Sequence, residues 1–340
     1  MASSSRKALA VILAAGKGVR MKSKLPKVLT PIMGKPMVHF VAEACRKGGM
    51  KQILLVIGHQ AELVRKTMGS GYQYAEQKQQ LGTGHALMIA VKTLKQFKGD
   101  ILVLAGDTPL LTGKILRKLV AKHQKNGAAA TMMTAVLEHP GGYGRIIRNA
   151  SGVIERIVEA RDATSQEKKI KEVNTSHYCF QAEKVIPLLS NLKTDNDQGE
   201  YYLTDIIEML VSRGETIESL TSDDPSILLG VNNRAHLADI QKIMQTHICN
   251  QWMNNGVSII DPASVTIEPE VKIAPDTVIH PFTSLLGKTS IKTGSRIGPQ
   301  VKLKNAKIGE NCRIEFSVIE NRKIEDNTEI GPFASIAGED

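Results

Sequence analysis

The sequence predicts an α/β protein in two parts, a mostly parallel sheet with helices on both faces followed by a short left-handed parallel β-helix. Three observations predict it. Short continuous apolar runs alternate with helix-like segments through the first 230 residues, one long amphipathic segment follows, and from residue 258 apolar residues recur at a period of six.

The runs Leu9–Leu13, Ile53–Ile57 and Ile101–Leu104 have strand length and no polar alternation, the mark of strands buried on both faces. Between them Met37–Arg46 reads as a helix closed by Gly48-Gly49, and His85–Lys95 as another. Thr112–Asn126 begins on a capping residue and stops at Gly127. In such sheets ligands bind beyond the carboxyl ends of the strands. The loop at 16–18 and the pair Gly106-Asp107 both follow strands, so both fall on that edge. Asn233–Met253, with Leu237, Ile240, Met244 and Ile248 on one face and Asn255-Gly256 at its end, reads as one long helix. The predicted organisation is a first domain at 1–232, a linker helix at 233–256 and a β-helix at 257–340.

Ile267, Ile273, Ile279, Leu285, Ile291, Ile297 and Leu303 are spaced by six. The series slips by one residue, resumes at Ile308 and Ile314, and again at Ile324 and Ile330. A hexapeptide period places each of these residues inside a triangular coil. Gly338-Glu339-Asp340 is expected to act as a charged cap.

The chain has 340 residues with 42% apolar side chains, enough for about two domains with cores of their own. No apolar run approaches the ~20 residues of a membrane span. Ala8–Ala15 behind Arg6 and Lys7 imitates a signal peptide, but its core is short and Gly16-Lys17-Gly18 follows at once. The four cysteines (Cys45, Cys179, Cys249, Cys312) have neither disulfide nor zinc spacing, so reduced thiols in a cytoplasmic protein are expected.

The net charge is +10, and its distribution is uneven. Eight basic residues (Arg6, Lys7, Lys17, Arg20, Lys22, Lys24, Lys27, Lys35) and no acid occupy the first 42 positions, which points to an anionic ligand there. Aromatics are 4% of the chain and are not interleaved with this cluster, which disfavours nucleic acid and leaves a small phosphorylated substrate.

Leu13-Ala14-Ala15-Gly16-Lys17-Gly18-Val19-Arg20-Met21 follows the first strand. It lacks the third glycine of a dinucleotide fingerprint and the Gly-Lys-Ser/Thr of a Walker loop. What remains is a glycine loop whose backbone N–H groups can approach phosphate, with basic side chains around it up to Lys27. Asp107 in Gly106-Asp107-Thr108-Pro109-Leu110 is either a ligand holding Mg²⁺ against a triphosphate or a cap of the next turn. Asn232 in Val231-Asn232-Asn233-Arg234 is either a second oxygen ligand or the N-cap of the long helix. No hydrolytic triad and no metal-spaced histidine pair is legible, and His59 and His85 read as structural. A phosphate monoester is already ionised near neutral pH, so its attack on a phosphoanhydride needs positioning and charge neutralisation rather than a general base.

The motifs LAAGKGxRM, LPKVL, GKPM, QLGTGHA, GDTPLL, GYGRI, VEARDAT, VNT, QGEYYLTDII and GVNNR occur in this order between residues 13 and 234, and the similarity around them starts at residue 8. On them the chain, to about residue 335, resembles the bacterial bifunctional N-acetylglucosamine-1-phosphate uridylyltransferase/glucosamine-1-phosphate acetyltransferase family. The resemblance implies a Rossmann-like nucleotidyltransferase domain. It implies transfer of UMP from UTP to N-acetylglucosamine 1-phosphate, releasing pyrophosphate and feeding peptidoglycan and lipopolysaccharide synthesis. Leu13, Ala14, Ala15 and Gly16 would line the nucleotide pocket, with Gly106 beside them. Arg20 and Lys27 would neutralise the phosphates, while Gln77, Gly82 and Thr83 would hold uracil. Asp107 and Asn232 would hold Mg²⁺. Gly144, Glu159, Asn174 and Thr204 would contact the sugar, with Tyr202 nearby. A homotrimer through the β-helix is also implied.

Three departures from the family pattern stand out: Val19 replaces a usual Thr, Ser176 a usual Gly, and only the opening coils of the β-helix are present. The resemblance therefore predicts no acetyltransferase activity from these residues. The competing readings are a nucleotidyltransferase for another hexose 1-phosphate and a catalytically idle nucleotide-sugar-binding assembly subunit. Retention of Arg20, Lys27 and Asp107 argues against the second.

Overall fold

The computed structural model describes residues 6–94 and 97–338. It divides into two compact units, Met1–Thr30 with Pro36–Arg234, and Pro31–Lys35 with Ala235–Asp340.

The first unit is built on a nine-stranded sheet. Its strands are β1 (Ala8–Ala14), β2 (Gln52–Ile57), β3 (Gln73–Glu76), β4 (Asp100–Ala105), β5 (Ala130–Val136), β6 (Arg145–Arg148), β7 (Ile154–Val158), β8 (Glu172–Gln181) and β9 (Ile217–Thr221). The order is β9-β5-β8-β4-β1-β2-β3, with a hairpin of β6 and β7 attached to β8. β1 lies parallel to both β2 and β4, as the continuous apolar runs predict. β8 runs antiparallel to β4 and β5, which no apolar pattern announces.

The apolar runs are continuous because both faces of the sheet are covered. Leu9 and Val11 pack with α3 (Thr83–Thr93), α5 (Ala182–Val185) and α6 (Asp205–Ser212), while Ala10, Ile12 and Ala14 pack with α1 (Met37–Lys47), α2 (Ala61–Met68) and α4 (Gly113–Asn126). β2 and β4 alternate the same way, with Leu54, Val56, Ile101 and Val103 on one side and Leu55, Ile57, Leu102 and Leu104 on the other. α4 starts where Thr112 Oγ1 accepts from the Ile115 N–H and ends at Gly127 in the left-handed region, as its sequence predicts. The helix expected at 85–95 begins two residues earlier, at Thr83, and Lys95 lies outside the described residues. The run that imitates a signal peptide is β1, an interior strand between β4 and β2.

The second unit contains α7 (Arg234–Asn254) from Ala235 onward and then a parallel β-helix of two- and three-residue strands in three sheets. Each strand sends one apolar side chain inward, and Ile267, Ile279, Leu285, Ile297, Leu303 and Ile314 are all fully buried. Cys249 of α7 joins this core. Thr266 pairs with Ser284 and Ser284 with Lys302, a coil of eighteen residues. Lys302 then pairs with Val318 and Lys307 with Lys323, coils shortened to sixteen. The shortening accounts for the slip at Ile308 and for one inward position that strict counting in sixes passes over, Ile319, while Ile336, six beyond Ile330, packs against the end of the same core. Glu339 and Asp340 of the expected cap lie outside the described residues. All four cysteines are unpaired and buried, and among the described residues no helix is long and apolar enough to cross a membrane.

At the start of β4 the fully buried Asp100 accepts from Gln124 Nε2 at 2.7 Å and lies 3.5 Å from the buried His123 Nε2. Burial pushes this carboxyl up, but the close approach of His123, the hydrogen bond from Gln124 and the nearby Arg6 outweigh it, so the group titrates below its ordinary value. A lowered folded value means stability that is present above the unfolded value of about 3.9 and is lost as pH falls below it. Urea unfolding at about pH 5 and about pH 3 should show this loss, and Asp100→Asn should show a smaller difference between the two. An equal difference in both proteins would refute the assignment.

Candidate active site

The carboxyl ends of β1 and β4 are held side by side, with Leu13 opposite Ala105, and the loops that follow them open a cleft of about 710 Å³. Gly106 is required by close approach: a Cβ there would stand 2.8 Å from the Leu13 carbonyl oxygen. The cleft lies wholly within the first unit, lined from Leu13 to Asn232.

One end is basic. Gly18 takes a left-handed φ of 63°, turning the chain into a short 3₁₀ turn at Val19–Met21, and a side chain there would strike the stem of Lys27. Lys27 and Arg20 thus face the same space. Lys27 Nζ donates to Asp107 Oδ2 and, at 2.9 Å, to Asn232 Oδ1, and Arg20 Nη2 donates to the same Asn232 oxygen at 3.0 Å. This geometry removes the capping alternative at both positions. Asp107 faces the cleft rather than capping a turn. Both lone pairs of Asn232 Oδ1 are taken by these cations, so that oxygen does not cap the helix.

The other end is formed by the β6–β7 hairpin against β8. Arg145 pairs with Val158 and with Val173, which brings Gly144, Glu159 and Asn174 together although they are far apart in sequence. Glu159 is largely buried, and Thr204 Oγ1 donates to it at 3.4 Å. Burial first, with the negative Asp162, Asp205 and Glu200 adding to it, raises the Glu159 carboxyl above its ordinary range. Asn174 Nδ2 donates to Tyr178 Oη at 2.7 Å and its Oδ1 accepts from the Ser176 N–H at 3.1 Å. On the wall of the cleft, the buried Gln77 donates through Nε2 to the Gly82 carbonyl at 3.1 Å and meets His85 Nδ1 at 3.0 Å. His85 is therefore structural, as read from sequence, and orients Gln77.

Of the residues singled out from sequence, Leu13, Ala15, Gly16, Arg20, Lys27, Gln77, Gly82, Thr83, Asp107, Gly144, Glu159, Asn174 and Asn232 line the cleft. Four do not. Ala14 points into the core beneath the sheet, and Gly106 serves the close approach of β1 and β4. Tyr202 is buried with its hydroxyl on Gln198 and Asp162, and Thr204 lies behind Glu159. Lining residues to which sequence gave no role include Gln80, Tyr143, Thr175 and Glu200. Behind the wall is His177, fully buried between the Thr175 carbonyl and Thr108 Oγ1, and burial lowers its imidazole to about 4. Its buried neighbours, a carbonyl and a hydroxyl, have no sequence signal.

The donors fit a divalent metal. Asp107 and Asn232 offer hard oxygens, a lysine ammonium already bridges them as a stand-in cation, and Gly230 leaves one side of the carboxylate uncovered where a Cβ would sit 3.4 Å away. No group of three His, Cys, Asp or Glu able to hold a metal occurs among the described residues. Such a site would need substrate oxygens to complete it, which is the habit of Mg²⁺.

Ser176 adopts a left-handed φ of 61° at the bulge in β8, a conformation that costs a residue with a Cβ roughly 1–2 kcal/mol. Ser176→Gly should leave thermal stability unchanged or raise it. Ser176→Val, β-branched, should lower it by more than ~1 kcal/mol. Equal melting of all three proteins would show that the bulge relaxes freely.

Residues 9–254 match the nucleotidyl transferase family. The chain is 45% identical over 327 residues to the bifunctional protein GlmU of Halalkalibacterium halodurans, covering 96% of this chain and 72% of that one. It is 46% identical over 330 residues to the bifunctional protein GlmU of a Geobacillus species (strain WCH70), covering 97% and 72%. With the phosphate-loop geometry and paired oxygen donors of the cleft, these matches place the chain in the nucleotidyl transferase family, as a sugar-phosphate nucleotidyltransferase of the GlmU type.

Proposed function

We propose that the protein transfers UMP from UTP to N-acetylglucosamine 1-phosphate, giving UDP-N-acetylglucosamine and pyrophosphate with Mg²⁺ as cofactor. The observation that carries this reading is the polarity of the cleft. Lys27, Arg20 and the glycine loop stand at one end, beside Asp107 and Asn232, and Glu159, Gly144 and Asn174 stand at the other. An anionic triphosphate suits the first end. A neutral sugar whose hydroxyls donate to a buried carboxylate suits the second.

The chain's own residues supply positioning and charge. The backbone N–H groups around Gly16–Gly18 and the cations of Arg20 and Lys27 take up phosphate charge. Gln77, with Nε2 committed to Gly82 and His85, keeps Oε1 for a base N–H. Asp107 and Asn232 would hold the Mg²⁺, which when bound draws negative charge off the phosphates. The sugar phosphate, anchored through Glu159 and Asn174, presents an already ionised oxygen for in-line attack, so no general base is required. Residues 1–232 form the uridylyltransferase part on this reading, and 257–340 are proposed as a left-handed β-helix that assembles three chains.

Pyrophosphate release from UTP should be fast with N-acetylglucosamine 1-phosphate and slow with glucose 1-phosphate or glucosamine 1-phosphate. Preference for glucose 1-phosphate would move the protein to another sugar. Silence with all three would point to an idle subunit. Asp107→Ala should abolish metal-dependent turnover while the protein still melts cooperatively. Lys27→Ala should lower kcat/KM by roughly 10²–10³-fold, the usual loss for one preorganised charge-stabilising group. Near-normal turnover in either variant would sink its assignment.

A further inference from the structure

The two oxygens that the proposed function gives to a divalent cation are already bound to a cation of the chain itself. Lys27 Nζ donates to Asp107 Oδ2 and to Asn232 Oδ1. The pair is largely shielded, with the Lys27 side chain 14% and the Asp107 side chain 20% exposed. Asn232 Oδ1 also accepts from Arg20, so both of its lone pairs are filled. Asn232 Oδ1 therefore has no lone pair left for a metal, and on Asp107 only Oδ1 is free of the ammonium, so metal and ammonium compete for the site.

We infer that Lys27 is the resident counter-cation of this site, and that a divalent metal enters only as its ammonium leaves Asp107 and Asn232 for the phosphates of an incoming nucleotide. The inference rests on the reading of Asp107 and Asn232 as metal ligands. Charge counting supplies the argument. With Lys27 on Asp107 the pair is neutral, which a shielded position favours. A metal arriving alone would add two positive charges and turn the ammonium loose beside them, with Arg20 close by. A nucleoside triphosphate brings about four negative charges, enough to receive both the metal and the released ammonium. Metal and nucleotide are thereby coupled through one side chain, and the coupling is reciprocal. In the absence of nucleotide the same ammonium keeps the carboxylate paired and the cleft in order.

The test is Mn²⁺ binding to the nucleotide-free protein, followed by the electron-spin-resonance signal of free Mn²⁺, with melting curves recorded for every variant. Lys27→Met keeps the stem of the side chain and removes the charge. It should bind Mn²⁺ at least roughly tenfold more tightly than the wild type, because the competing cation is gone. Arg20→Gln frees one lone pair of Asn232 Oδ1 but leaves Lys27 on both Asp107 and Asn232, so its gain should be clearly smaller, within about threefold of the wild type. Asp107→Asn should abolish the site in both backgrounds. If Lys27→Met does not melt cooperatively, Lys27→Gln carries the same expectation with a polar replacement. Unchanged or weaker Mn²⁺ binding in the Lys27 variant overturns the inference. So does an equal gain in Arg20→Gln, which would reduce the effect to general electrostatics. Mn²⁺ binding that survives Asp107→Asn would instead overturn the metal assignment itself.

Discussion

The site depends first on the position of β1. Strands β2 and β3 are laid down on one side of it and β4 with its successors on the other, so the direction of sheet growth reverses at β1. Loops leaving the carboxyl ends of two such neighbours diverge and leave a crevice that backbone cannot close. β1 delivers the glycine loop to that crevice and β4 delivers Asp107, with the register between Leu13 and Ala105 fixing how far apart they stand. Because helices cover both faces, a shift of this register by one residue would exchange the Leu9/Val11 set with the Ala10/Ile12 set. The packing of the core and the spacing of the site are therefore one constraint.

Electrostatics then divides the cleft. At the loop end cations exceed acids, and Asp107 is paired with one of them. At the hairpin end the acidic Asp162, Asp205 and Glu200 add to burial in raising the Glu159 carboxyl, against the hydrogen bond from Thr204. Asp205 is raised as well, to about 6, by burial and then by Glu208 and Asp162. A ligand with charge at one terminus and hydroxyls at the other has one favourable orientation in such a field. A hydroxyl donor would relieve the desolvation of Glu159, whereas a second anion there would add to it. Orientation of the substrate and choice of reaction chemistry thus follow from the same asymmetry.

The parts of this arrangement legible in sequence are those with a local signal. The three parallel strands show as apolar runs, α4 shows through Thr112 and Gly127, and the β-helix shows through its period. The basic loop end is legible too, since its residues lie within a short stretch, and Asp107 follows directly from a strand. The hairpin end is not. Glu159 and Asn174 are brought together by antiparallel pairing across β6, β7 and β8, which leaves no mark at any fixed spacing, and only family resemblance pointed to them. Ala14, Tyr202 and Thr204 show the reverse limit. Resemblance carries a motif over as a block, but alternate residues of a strand face opposite sides, and the second layer of a site is as well specified as the first. Ile319 was passed over because coil length varies while inward packing is maintained; the register, rather than the residue count, sets the core.

The bulge in β8 links the two ends of the cleft. Its turn is made at Ser176 in a conformation unfavourable to any residue but glycine, and strain of that kind persists only where surrounding contacts over-determine it. Here Asn174 spends Nδ2 on Tyr178 and Oδ1 on the Ser176 N–H, while Thr175 Oγ1 donates to the Met133 carbonyl at 2.8 Å. His177 completes the frame. A carbonyl oxygen only accepts, so Nδ1 carries the proton toward Thr175, and the neutral ring that burial favours turns a bare Nε2 to the Thr108 hydroxyl, whose one proton is shared with the Ala105 carbonyl at 2.9 Å. Thr108 is the residue after Asp107. A single buried imidazole therefore ties the wall that carries Asn174 to the loop that carries Asp107, and the two ends of the cleft are held in mutual position by a contact that touches neither ligand.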